Sequence, residues 1–175
     1  MGNVDITLRH KIGDNVIYKN NGICEICDIR EMSFAGAEKK PYYVLKPVYS
    51  LGSHTYVPAD LPELAQYMHT LLDKEEIHKA IDTYSDFELS WNDDTKTRAE
   101  YFNSLISSFD RRAILAVAIK LSEYKTELDG KRKKMYASDA KILSLAEKMI
   151  KDEFAFVLEI KRDEVFDYIK SRLSE

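Results

Sequence analysis

Cys24 and Cys27 stand in CxxC spacing, and the 175-residue chain holds no other cysteine. That spacing suits half of a tetrahedral zinc site or a dithiol redox pair. A zinc site needs two further ligands, and neither a second CxxC nor an HxxxH occurs. A redox pair needs a depressed thiol pKa, of the kind a helix N-terminus supplies, whereas these thiols lie inside a β-prone run. Residues three apart on a regular strand also point to opposite faces. The expectation is two unconnected strand residues and no metal site. His10, His54, His69 and His78 are scattered, with no nucleophile or ligand spacing beside them, and no GxxxxGK[ST] loop is present. No catalytic residue and no cofactor is implied, so the chain reads as a non-enzyme.

The remaining chemistry is recognition by aromatic rings and charge. Trp91, the single tryptophan, lies in the polar connector Leu89-Ser-Trp-Asn-Asp93. By residue type a solitary tryptophan is first a core or inter-helix residue. The net charge of −4 argues against indiscriminate coating of nucleic acid, but it is unevenly spread. Residues 59–94 hold ten Asp/Glu against two Lys/Arg, and residues 109–134 hold eight Lys/Arg against four Asp/Glu. A localised basic surface can bind DNA inside an acidic protein. Ordinary solvated helix faces account for the same numbers, and on charge alone they are preferred. The densest basic run, Lys131-Arg-Lys-Lys134, suits phosphate, but a solvated loop beyond a helix C-terminus is the preferred reading. Arg111 and Arg112 oppose the dipole at a helix start, a weak pointer to another purpose.

Two modules position these groups. Residues 10–58 are β-prone, with a Gly13-Asp14 turn, Val16-Ile17-Tyr18, an Asn20-Asn21-Gly22 turn, a strand through Ile23, Ile26 and Ile29, and the run Tyr42 to Val48. Pro41 and Pro47 bracket that run and suggest an exposed edge nearby. From about residue 60 the apolar period becomes helical. Helices are expected over 63–72, over 74–81 behind an Asp73 cap and a Glu76 capping box, over 95–106 with Asp93 as cap, after Asp110 up to Asp129-Gly130, over 137–158, and in a short closing segment capped by Asp163. Stripes run through Ile114, Val117, Ala118, Leu121 and Leu128, and through Ile142, Leu145, Ala146, Met149, Phe154, Val157 and Leu158. The expected fold class is α+β: a small β-barrel over residues 1–60, then an all-α bundle over 61–175. No apolar run approaches the ~20 residues a membrane helix needs. The segment Met1 to Arg9 lacks a signal-peptide apolar block, so a cytoplasmic protein is expected.

The order and spacing resemble the CarD/CdnL family of bacterial transcription regulators. The resemblance is carried by Gly13-Asp14-Asn-Val16-Ile17-Tyr18, Gly22, Tyr42-Tyr43-Val44-Leu45 and Val57-Pro58. It continues in Ser108-Phe-Asp110 before the helix through Ala113 to Leu121, then Tyr136-Ala-Ser-Asp139, Ile142-Leu143, Ala146 and Glu153-Phe154-Ala155. It spans roughly residues 10–160. It implies a Tudor/SH3-like barrel that binds the RNA polymerase β subunit, and a helical domain that touches promoter DNA and alters open-complex stability; a monomer is expected.

The resemblance also implies roles. Trp91 takes the position of a tryptophan that wedges into the minor groove, where a flat ring can occupy an unstacked base step. Lys96 takes a phosphate-contacting lysine position, and Arg98, Lys131 and Arg132 complete the DNA set. Where many members carry arginines just after the tryptophan, this chain has Asp93 and Asp94, which repel phosphate. Polymerase contact falls to Met32, Tyr43 and Tyr56. Met32 and Tyr56 stand where members use arginines, so the ionic part of that contact is missing and edge-strand pairing would have to persist without it. An adaptor that docks polymerase without engaging DNA is the competing expectation.

Overall fold

The computed structural model describes residues 8–174, so most of the segment read above for a leader lies outside the described residues. The chain forms two compact units, one ending at Leu71 and one starting at Leu72. The architecture is α+β, as expected, with five antiparallel strands followed by helices.

In the first unit the strands are β1 (Asn15–Tyr18), β2 (Ile23–Met32), β3 (Lys40–Pro47), β4 (Thr55–Pro58) and β5 (Met68–Thr70). They pair antiparallel in the order β4-β3-β2-β1-β5. Gly13 leads into β1 at φ +91°, a conformation that L side chains avoid. Its N–H donates to the Ile26 carbonyl at 2.8 Å, while the Asp14 carboxylate accepts from the Lys11 N–H at 2.9 Å. All five strands feed one core: Val16, Cys24, Ile26, Tyr43, Leu45, Val57 and Met68, joined by Leu64 of the one-turn helix α1 (Leu64–Tyr67). A flat sheet could not bring Val57 and Met68, from opposite edges, into one cluster, so the sheet curls around its apolar face. In β2 the register shifts between Ile26 and Asp28, which makes Cys27 the extra residue of a β-bulge.

One element departs from expectation. The helix expected over 63–72 shrinks to α1, and Met68–Thr70 becomes β5, paired with Val16, Ile17 and Tyr18 of β1. One helical turn is weakly cooperative, whereas the strand buries Met68 and satisfies backbone groups along β1. β5 thus lies inside the first compact unit, which ends at Leu71. β3 is paired on both sides. Pro41 and Pro47 fall outside Tyr42–Leu45, the stretch that pairs with β4, and the exposed edge expected near them is that of β4.

The second unit comprises α2 (Lys74–Asp82), α3 (Thr95–Ser107), α4 (Arg111–Gly130), α5 (Ala137–Leu158) and α6 (Val165–Leu173). The Asp73 carboxylate accepts from the Glu76 N–H at 2.8 Å and the Glu76 carboxylate accepts from the Asp73 N–H at 2.9 Å, closing the expected capping box. Asp110 starts α4 by accepting from the Arg112 N–H at 2.9 Å. The run from Ala113 to Ala118 is buried on every side, so α4 is the central helix, with α2, α3 and α5 packed around it. On α5 the buried stripe passes through Ile142, Leu143, Ala146, Ile150 and Phe154, and Leu145 is left exposed. Asp163 does not cap α6. A 3-10 turn, Arg162–Glu164, leads in, and the Glu164 carboxylate accepts from the Lys161 N–H at 3.2 Å. Among the described residues no helix is long and apolar enough to cross a membrane.

Candidate functional site

Strand register decides which side chains the β unit displays. Directly opposed residues share a face, so Tyr43 and Val57 lie together on the inner side, with Leu45 two residues on. The outer side carries Asp28, Arg30 and Met32 from β2, Lys40, Tyr42 and Val44 from β3, and Tyr56 and Pro58 from β4. Two of the expected polymerase contacts, Met32 and Tyr56, are therefore on the outer face, and Tyr56 is 43% exposed. Tyr43 is not. It is 0% exposed, and its hydroxyl accepts from the His10 N–H at 3.2 Å inside the core. The outward tyrosine is its neighbour Tyr42, against which Phe34 packs edge-on with centroids 5.2 Å apart. Lys40 is paired with Asp60 at 2.9 Å, and Arg30 with Asp28. β4 pairs only with β3 among the described residues, which leaves its other backbone edge available.

The two cysteines do not meet as a reactive pair. Cys24 is buried and its Sγ lies 3.7 Å from the Gly22 carbonyl; Cys27, on the bulge, donates to the Val44 carbonyl at 3.3 Å. Burial pushes the Cys24 thiol up to about 11, away from the thiolate that redox chemistry requires. Among the described residues no group of three His, Cys, Asp or Glu could hold a metal ion.

In the helical unit Trp91 is half-buried in the connector before α3. Its ring meets Tyr124 edge-on at 4.8 Å and Phe102 at 6.2 Å, and the Arg98 guanidinium lies 4.5 Å from its centroid. The indole N–H donates to Asp93 Oδ1 at 3.1 Å. Asp93 thus orients the indole, and the cap of α3 is Asp94, which accepts from the Thr97 N–H at 2.8 Å. The Thr97 hydroxyl and N–H together hold the Asp94 carboxyl below the usual carboxylate range.

Arg98, expected among the DNA contacts, is 1% exposed. Its Nε and Nη2 donate to Asp139 at 3.2 and 2.6 Å, and Nη1 donates to the Asn92 and Asp93 carbonyls at 2.6 and 3.4 Å. Four residues before Phe102 on α3, it sits on the buried face of that helix. A guanidinium so enclosed has no donor turned to solvent for a phosphate, and it serves to hold the Trp91 connector. Lys96, Lys131 and Arg132 are exposed, with Lys131 paired to Glu127. Lys120 escaped the sequence reading; its Nζ lies 6.0 Å from the Trp91 centroid. The open pocket beside the indole is lined by Asp93, Lys120, Glu123, Tyr124 and Glu127, three carboxylates against one ammonium. Arg111 finds its purpose within the bundle. It donates to both oxygens of the buried Glu153, at 2.9 and 3.0 Å, and Glu153 also accepts from the Leu72 N–H at 2.9 Å.

The β unit is thus a curled antiparallel sheet with aromatic side chains on its outer face. Residues 10–69 match the family model described as the CarD-like/TRCF RID domain. The β unit accordingly belongs to this CarD-like family of RNA polymerase-interacting domains, and the chain carries a transcription-related module of that kind. The match ends just before the helical unit begins. No curated protein matches the chain.

Proposed function

We propose that this chain docks on the RNA polymerase β subunit through the outer face and the β4 edge of its β unit. The observation that carries the reading is the combination of the family match over 10–69 with an outer face on which Phe34 and Tyr56 are exposed and Tyr42 half-buried beside Phe34. Tyrosines supply large contact area at low entropic cost, and a free strand edge supplies backbone pairing. The test is capture of the purified β subunit by the full chain, with and without Tyr56→Glu. Retention by the wild type and loss in the variant supports docking at this face; equal retention moves the contact elsewhere.

Promoter DNA is a second reading, supported by the partly exposed Trp91 ring with Lys120 beside it and by the exposed Lys96. In that reading the ring supports the upstream fork and lengthens open-complex lifetime, with Lys131 and Arg132 on phosphates. Against it stand Asp93, Glu123 and Glu127 around the same ring and the burial of Arg98. The adaptor reading, docking without DNA contact, is therefore favoured. Open-complex lifetime with Trp91→Ala decides the matter: a shortened lifetime with polymerase binding intact reinstates the wedge. A DNA affinity without salt dependence removes phosphate contact altogether.

A further inference from the structure

We infer that Arg30 is the receptor for a carboxylate of the docking protein partner, an assignment that rests on the polymerase reading above. The Arg30 side chain is 60% exposed, yet it is held in one orientation. Its Nε donates to Asp28 Oδ2, and Asp28 is itself fixed, because its Oδ1 accepts from the Ile29 N–H at 2.8 Å. Nε is the one guanidinium nitrogen that the described residues engage, so both terminal nitrogens remain to donate outward. Two parallel N–H donors on a planar fork match a carboxylate, and pre-orientation by Asp28 lowers the entropy lost on contact. Asp28's hydrogen bond and charge also raise the guanidinium pKa, with a smaller contribution from Tyr56.

The surroundings specify a protein rather than a polyanion. Arg30 lies opposite Tyr42, and Asp28 lies in the row of Val44 and Tyr56, so aromatic side chains flank the fork. The other cations of this face are balanced, Lys40 by its ion pair with Asp60 and Lys46 by Glu25 opposite it on β2, which leaves the face near neutrality. A nucleic acid gains little from a balanced surface, whereas one bidentate pair framed by tyrosines has the composition of an interface anchor. The cation that the family resemblance leads one to expect at Met32 thus stands two residues earlier, on the same side of the same strand.

The experiment compares wild type, Arg30→Met and Arg30→Lys, as full chains, for binding to the purified β subunit across a salt titration, with thermal unfolding as the fold control. Arg30→Met is expected to weaken binding roughly tenfold and to flatten the salt dependence. Arg30→Lys, a point charge without the fork, should fall between the two. If the wild type binds and Arg30→Met binds within about twofold of it with the same salt dependence, the Arg30 assignment is overturned while the docking reading stands. If the wild type itself does not bind, the docking reading fails and takes this assignment with it.

Discussion

Arg98 lies against the indole of Trp91, 4.5 Å from the ring centroid, with its guanidinium clamped on the far side by Asp139 and on the near side by the carbonyls of Asn92 and Asp93. One buried cation therefore fixes the connector, the ring and the start of α5 together. Removing either member of a buried ion pair leaves the other charge unsatisfied in a dry interior. Arg98→Ala and Asp139→Ala should each lower unfolding free energy by roughly 3–5 kcal/mol in chemical denaturation. Because Trp91 is the single tryptophan, its emission should also move to longer wavelength in the folded Arg98 variant. The double change Arg98→Met with Asp139→Leu should cost less than either single loss, though not nothing, since two carbonyls lose a donor.

Glu153 joins the first residue of the helical unit to its central helices. Glu153→Ala strands Arg111 and frees the Leu72 N–H, so hydrogen exchange at the Leu72 amide should accelerate. Glu153→Gln keeps a carbonyl for Leu72 but loses the charged fork to Arg111. It should protect the Leu72 amide better than the alanine variant does, while still lowering global stability. Equal exchange in both variants would show that the Leu72 bond does not depend on this side chain.

The capping box at α2 is a local device with a local cost. Asp73→Ala should destabilise the helical unit by about 1 kcal/mol. Since Asp73 and Glu76 satisfy each other's backbone N–H, adding Glu76→Ala should cost less than the sum of the two single changes.

Cys24 couples stability to alkaline pH. Its thiol pKa is raised from 9.0 to about 11 by burial, so the folded state keeps a proton that the unfolded chain loses first. The contribution is fully present below the unfolded pKa and falls away as pH climbs from 9 toward 11. The slope is at most about 1.4 kcal/mol per pH unit. Denaturation midpoints of wild type and Cys24→Ala across that window should converge as pH rises. The folded protein should react with a thiol reagent at pH 8 through Cys27 well before Cys24.

Local signals were readable in the chain itself. Asp73 and Asp110 announce their helices because a cap and its amide are two or three residues apart. The buried stripe of α4 likewise follows from period alone. Other features depend on partners remote in sequence. Arg98 looks like a free surface cation until Asp139, 41 residues away, is brought beside it. Tyr42 and Tyr43 differ only in strand parity, and parity is settled by the pairing of Tyr43 with Val57 rather than by either residue's type. The strand β5 was hidden because Met68-His69-Thr70 has weak preferences of its own, and β1 supplies the reason for it to extend.

The bulge at Cys27 sets the reading frame of β2. Cys24 and Ile26 point into the core, and unbroken alternation would send Asp28, Arg30 and Met32 in after them. The inserted residue resets the count, so Ile29 goes in and the three even positions come out. A regular ladder that kept Cys27 in register would turn this half of the strand over, burying an ion pair and presenting Ile29 and Glu31 to the partner instead. Whatever binds this face is thus chosen by one supernumerary residue that need never touch it.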